Sequence, residues 1–167
     1  NVVLSLVNPG DEVILPAPYW VSYEEIVKVA GGIPVIIPTT IKEDYKINPE
    51  ALEAAINEKT RMVIYSSPCN PSGSVYSQEE TAAIADVLRK HDNVFTISDE
   101  IYELINFTSR HASLAAEPGM IERVITVNGV SKGFAMTGWR LGYIGAPKWI
   151  AAACTKIQGQ FTSAPCS

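Results

Sequence analysis

The sequence predicts an α/β fold, a three-layer sandwich built on a mostly parallel sheet. Short apolar runs alternate with stretches of helical spacing along the chain, the pattern of successive βαβ units. The runs at 62–65 and 94–97 are almost wholly apolar, as a strand must be when helices cover both faces of its sheet. The links are short, so right-handed crossovers place helices on both sides.

Each element has its own signal. Asn1 to Val7 reads as the last turns of a helix, stopped by Asn8-Pro9-Gly10-Asp11. Glu12 to Leu15 is a strand that Pro16 ends. Trp20 to Ala30 has helical spacing, and Gly31-Gly32 supplies its stop. Ile33 to Ile37 is β-branched and bounded by prolines, hence a strand. Asn48 caps a helix with Pro49 in its first position, running to about Ile56. Met62 to Tyr65 is a strand. Ser77-Gln78-Glu79-Glu80 is a capping box, and its helix runs to about Lys90. Val94 to Ile97, Val124 to Val127 and Leu141 to Ala146 are further strands, and Lys148 starts a last helix. Gln158 to Ser167 is polar and reads as a tail without a closing element.

Composition narrows the classes. A chain of 167 residues suits one domain and buries enough surface to hold a core without metal or disulfide. A hydrophobic share of 47% against 19% charged excludes disorder. A net charge of -5 argues against a nucleic-acid surface, which needs a basic stripe. No apolar run approaches the roughly 18 residues of a membrane span. Cys69, Cys154 and Cys166 make an odd count without framework spacing, so a reducing, cytoplasmic compartment is expected. The chain starts without Met and without a signal peptide's basic flank, and both ends suggest part of a longer protein.

In such sheets ligands bind beyond the carboxyl ends of the strands. After the 62–65 strand comes Ser66-Ser67-Pro68-Cys69-Asn70-Pro71-Ser72-Gly73. After 94–97 comes Ser98-Asp99-Glu100-Ile101-Tyr102. After 124–127 comes Asn128-Gly129-Val130-Ser131-Lys132-Gly133-Phe134. Taken singly, Asn70 is a turn residue, Asp99 a helix cap and Lys132 a solvated cation. Together, at equivalent positions, they point to a site. A lysine in an apolar, Gly-flanked loop can form a Schiff base with an aldehyde. A buried aspartate can hold a proton on a pyridine nitrogen. Tyr102 and Asn70 can donate to a phenolate oxygen, and Arg140 can grip a phosphate as a planar fork. These are the needs of pyridoxal 5'-phosphate.

The run Gly129-Val130-Ser131-Lys132-Gly133-Phe134-Ala135-Met136-Thr137-Gly138-Trp139-Arg140-Leu141-Gly142 resembles the cofactor-attachment signature of class I pyridoxal-phosphate-dependent aminotransferases. Ser67 to Gly73 is similar to the family's Asn-Pro-x-Asn-Pro-Thr-Gly loop, departing at Ser67 and Ser72. Ser98 to Tyr102 resembles its cofactor-pairing strand end. Pro18-Tyr19-Trp20-Val21-Ser22-Tyr23 is similar to the bacterial aspartate aminotransferase subgroup. The resemblance covers essentially the whole chain.

The resemblance implies transamination between an L-amino acid, aspartate first, and a 2-oxo acid such as 2-oxoglutarate, in a cytoplasmic homodimer. It implies that Lys132 carries the cofactor and shuttles the substrate proton, and that Asp99 faces the pyridinium nitrogen. Tyr102 and Asn70 would bond the phenolic oxygen, Asn70 would also reach the substrate carboxylate, and Trp20 would stack on the ring. Arg140, with Ser131, would bind phosphate. The family often has a serine three residues before the lysine; here that position is Gly129. The alternative for Trp20 is a core aromatic. Residues 1–167 would be part of the large cofactor domain, without the N-terminal phosphate loop or the C-terminal small domain, and inactive alone. Elimination or cyclopropane-carboxylate synthesis on the same cofactor, or a regulator with an aminotransferase-like domain, are the alternatives; Pro18-Tyr19-Trp20 favours the aminotransferase.

The remaining conspicuous residues read as structural. His91, after a helix end, would be a C-terminal cation or cap, His111 would lie in a polar loop, and Glu100 would face solvent in a helix or at a strand end. Met62, Met120 and Met136 read as packing. Cys69 has no partner that would make it a nucleophile, and no metal site is expected.

Overall fold

The computed structural model describes residues 1–107 and 110–162. Its strands are β1 (Glu12–Ala17), β2 (Ile33–Pro38), β3 (Thr60–Ser66), β4 (Phe95–Asp99), β5 (Val124–Gly129) and β6 (Gly142–Gly145). They form one six-stranded sheet in the order β2-β1-β3-β4-β5-β6. All neighbours are parallel except β5 and β6, which are antiparallel. The helices are α1 (Val2–Leu6), α2 (Ser22–Val29), α3 (Pro49–Ala55), α4 (Gln78–Leu88) and α5 (Lys148–Phe161).

Right-handed crossovers explain the layers. The chain steps from β1 to β2 in one direction, then returns past β1 to β3 in the other. Reversing direction moves the crossover helix to the opposite face. Accordingly α2 packs with α1 and α5 on one face, while α3 and α4 cover the other. Alternate strand residues serve the two cores. Val13, Leu15, Met62 and Ile64 meet Val3, Leu6, Val27 and Ile150. Ile14, Val63 and Tyr65 meet Leu52, Ile84 and Leu88. Leu52 and Leu88 are fully buried, each stabilising by about 1.5–3 kcal/mol relative to exposure.

The helix signals act as read. Asn48 Oδ1 accepts from Ala51 N–H at 2.7 Å, with Pro49 in the first turn. In the capping box, Ser77 Oγ accepts from Glu80 N–H at 3.2 Å and Glu80 Oε2 accepts from Ser77 N–H at 2.7 Å. Each such cap is worth about 1 kcal/mol. Gly31, at φ +79°, takes the left-handed conformation that ends α2.

β3, β4 and β5 run one or two residues further than expected, to Ser66, Asp99 and Gly129, and three other boundaries differ for identifiable reasons. β1 continues through Pro16 to Ala17, because it stays paired with β2 that far, while it pairs with β3 only over Glu12–Ile14. Pro16 lies where the two strands have parted, so its missing N–H removes no ladder bond on that side. α2 begins at Ser22, since Pro18 to Trp20 forms the turn that delivers it, with Tyr23 N–H bonded to Trp20 C=O at 3.0 Å. The polar stretch from Gln158 is helical as far as Phe161. Ile150 and Cys154 of α5 are buried against α1, and Gln158 accepts a bond from Asn1. Tertiary packing thus carries the helix into polar sequence. Residues 163–167, with Cys166, lie outside the described residues. Cys69 and Cys154 are free thiols. Among the described residues no helix is long and apolar enough to cross a membrane.

Candidate active site

The sheet register gathers the strand ends. Ser66 pairs with Asp99, and Asp99 with Val127, so β3, β4 and β5 finish side by side. β6 starts from the same edge because it runs antiparallel. The order reverses at β1 and β3, which opens a crevice there. It is a cleft of about 380 Å³. Trp20, Asn70, Asp99, Tyr102, Ser131, Lys132 and Arg140 all line it, so every site residue expected from the sequence is brought to one place.

Asp99 ends the central strand β4. Its Oδ2 accepts from the Tyr23 hydroxyl at 2.5 Å and its Oδ1 from the Ile101 N–H at 3.2 Å. Burial pushes its carboxyl up, and the neighbouring Glu100 adds to this; the two donors work against it. Burial and the facing carboxylate raise the Tyr23 phenol well beyond its usual range, so Tyr23 remains a donor. Among the described residues Asp99 has no ion-pair partner. A half-buried carboxylate with donors on both oxygens and no cation suits a protonated ring nitrogen.

Lys132 lies in the loop between β5 and β6, its Nζ 5.7 Å from the centre of the Tyr102 ring. That is within reach of a cation–π contact. Arg140 caps the 3₁₀ turn 137–139 in the left-handed region at φ +53°, and its Nη1 donates to Thr137 C=O at 3.0 Å. Ala135, in the same loop, is also at φ +53°. Backbone held this way costs of order 1–3 kcal/mol per residue and clusters at ligand-binding loops. Gly129 has a packing reason: an added Cβ would come within 2.8 Å of Leu141 O and 3.2 Å of the Ile101 side chain. The missing hydroxyl three residues before Lys132 is the consequence of that close approach.

Asn70 is presented by the loop after β3, where Cys69 N–H bonds Ser74 C=O at 2.9 Å and Gly73 N–H bonds Cys69 C=O at 2.8 Å. Ser67, where the sequence departs from the family loop, is buried and its Oγ accepts from Tyr76 N–H at 3.1 Å. Trp20 is 45% exposed at the cleft, so it is not a core aromatic. Its ring stands edge-on to Tyr23 with centroids 5.7 Å apart.

Glu100 corrects the sequence reading. It is 3% exposed rather than facing solvent. Its carboxylate accepts from Ser98 Oγ at 2.8 Å and Ser113 Oγ at 2.7 Å, and lies 2.8 Å from His111 Nε2. Asp99 points into the cleft and Glu100, one residue on, into the opposite core layer, as strand-end alternation requires. His111 lies in the loop, as expected, and is there the ion-pair partner of Glu100, while His91 pairs with Glu53 at 2.8 Å. Cys69 Sγ contacts Pro18 C=O at 3.6 Å.

Tyr23, Ser66, Asn128 and Thr137 also line the cleft and were not singled out. For Tyr23 the signal was present: it follows Trp20 by three residues, and helical neighbours at that spacing share a face. Asn128 links the loops, donating to Glu103 Oε1 at 2.8 Å while its Oδ1 accepts from Gly129 N–H at 2.7 Å.

A crevice at the carboxyl edge of an α/β/α sheet, carrying an amine, a half-buried carboxylate, a phenol, an amide and a guanidinium, has the make-up of a cofactor pocket. The chain belongs to the class I and II aminotransferases, whose family model matches residues 2–167. It is 53% identical over 164 residues to the bifunctional aspartate aminotransferase and glutamate/aspartate-prephenate aminotransferase of Petunia hybrida, covering 98% of this chain and 34% of that one. It is 51% identical to the aspartate/prephenate aminotransferase of Nitrosomonas europaea, covering 99% and 42%. The crystal structure of the Rhizobium meliloti aspartate aminotransferase superposes with a TM-score of 0.95 at 43% identity, covering 98% and 42%. The chain thus spans well under half the length of these relatives.

Proposed function

We propose that the whole protein transfers an amino group between an L-amino acid, aspartate first, and a 2-oxo acid such as 2-oxoglutarate, with pyridoxal 5'-phosphate as cofactor. The convergence of Lys132, Asp99, Tyr102, Asn70, Ser131 and Arg140 on one cleft carries the reading. The names of the Petunia and Nitrosomonas relatives support the substrate class. Given their length, we take residues 1–167 as part of the large cofactor domain of a cytoplasmic homodimer.

When bound, the cofactor supplies an aldehyde that captures amines and a ring that withdraws electrons from the substrate Cα. Lys132 would be the amine that holds it, and would then move a proton at the substrate Cα. Asp99 keeps a proton on the ring nitrogen. Tyr102 and Asn70 donate to the phenolic oxygen, and Asn70 also orients the substrate carboxylate. Arg140, with Ser131, would bind the phosphate, and Trp20 would pack against the ring. Asp99, Tyr102 and Lys132 are thus the catalytic residues. Borohydride reduction of the loaded protein followed by peptide mapping should place the label on Lys132. Label on another lysine refutes the assignment.

A further inference from the structure

We propose that Tyr23 is a positioning residue, whose phenol fixes the Asp99 carboxylate in the orientation and charge state that a protonated ring nitrogen needs. The inference rests on the proposed function, in which Asp99 meets that nitrogen. Tyr23 stands in the first turn of α2, is 6% exposed and belongs to the core shared by α1, α2 and α5. Its ring is therefore held by packing, and its hydroxyl is brought to Asp99 Oδ2 at 2.5 Å. Ile101 N–H holds the other oxygen at 3.2 Å. Two donors, one from a neighbouring helix and one from the turn that follows β4, fix the carboxylate plane.

The same bond governs charge. Burial favours the neutral acid, and so does Glu100 next in the chain. A hydrogen bond to a carboxylate favours its ionised form. Removing the Tyr23 hydroxyl leaves Ile101 N–H alone against burial. Other titratable groups near Asp99 are Tyr102 from the following turn, Lys132 and Arg140 from the loop after β5, and Cys69 beside Tyr23. None of them replaces the lost donor, because Tyr23 and Ile101 are the two hydrogen-bond donors to Asp99 among the described residues. The Tyr23 ring also meets Trp20 edge-on at 5.7 Å, so one side chain braces both the carboxylate and the indole at the cleft.

The test is Tyr23→Phe in the whole protein, which keeps the ring and removes the donor. Affinity for pyridoxal 5'-phosphate, followed by its visible absorbance from pH 5 to 9, is expected to fall roughly tenfold at the acid end, the effect of one charge-assisted hydrogen bond. The acid limb of the affinity profile should move up by about one pH unit. A purely structural role would lower affinity evenly across pH. In an Asp99→Asn background, Tyr23→Phe should change affinity by less than about twofold, since no carboxylate remains to position. If Tyr23→Phe does not fold, Tyr23→His, which keeps a ring N–H donor, should retain the wild-type limb; a limb displaced upward overturns the inference. If wild type carries the cofactor on Lys132 and Tyr23→Phe matches it in affinity and acid limb, the inference fails while the function stands. Absence of cofactor from Lys132 in wild type overturns both.

Discussion

Replacing His111 by Phe should expose how the turn after β4 is held. His111 Nε2 lies 2.8 Å from Glu100 Oε2, and the side chains are 16% and 4% exposed. Phe fills the ring volume but takes the His111 partner away from the Glu100 carboxylate. Removing one partner of a buried pair costs about 3–5 kcal/mol. Ser98 and Ser113 still donate to Glu100, so the lower end, about 3 kcal/mol, is expected. Part of this depends on pH. The hydrogen bond with Glu100 raises the His111 pKa above 6.5, with burial opposing. A folded-state pKa raised in this way contributes stability that is whole below the unfolded value and is lost as pH rises through the folded one. Burial pushes the Glu100 carboxyl up, but bonds from His111, Ser113 and Ser98 outweigh it and hold it below 4.5. That contribution is whole above the unfolded value and is lost as pH falls through the folded one. Wild type should therefore exceed His111→Phe most between 4.5 and 6.5, and less on either side. Each unit of displacement is worth about 1.4 kcal/mol. Urea unfolding of both proteins, followed by circular dichroism at about pH 5.5 and about pH 9, measures it. An equal stability difference at both pH values would refute the ion-pair argument.

Lys132→Ala should still bind cofactor weakly while transamination falls by at least about 10²–10⁴-fold, the worth of a positioned proton shuttle, measured by coupled oxaloacetate assay. Asp99→Glu should retain more kcat than Asp99→Asn, and equal activity of Asp99→Asn and wild type would make this carboxylate a mere cap. Gly129→Ser should destabilise by about 1–3 kcal/mol in a denaturant titration, and should not tighten phosphate binding, because the added Cβ lies 2.8 Å from Leu141 O. Residues 1–167 alone should turn over at under a tenth of the whole protein's rate, since they span 34–42% of the relatives' length and lost positioning lowers kcat even at saturating substrate.

The layers were legible because they depend on local pattern. Asn48-Pro49 and Ser77 to Glu80 act where they stand, through bonds within one turn. The candidate site was legible because its residues occupy equivalent strand ends, which a parallel sheet puts on one edge, and the adjacency of β3, β4 and β5 then brings them together. What the sequence hid is long-range. Glu100 shares its surroundings with Asp99 in sequence, yet its burial depends on His111 and Ser113, eleven and thirteen residues on. Tyr23 reaches Asp99 across 76 residues, and only the placement of α2 over the end of β4 creates that bond. The helical fate of Gln158 to Phe161 is set by packing on α1, which no local propensity encodes.

The two central groups of the proposed site are held in unlike ways, and the difference suits their work. Asp99 sits between β3 and β5, paired with Ser66 on one side and Val127 on the other. Helix, strand and turn all restrain it, through Tyr23, the sheet and Ile101. A charge that must be in place before the reaction is best built into the stiffest part of the fold, since it then needs no reorganisation later. Lys132 stands instead on a loop whose closing bonds are long, with Val130 N–H to Leu141 C=O and Met136 N–H to Val130 C=O both at 3.4 Å. Its neighbours Ala135 and Arg140 occupy strained backbone. A side chain with the role proposed for Lys132, holding a cofactor and then carrying a proton, would need room to swing, which a strand interior would deny. The same sheet edge therefore supplies a fixed carboxylate and an adjustable amine, and the sequence separates them by placing one within a strand end and the other beyond it.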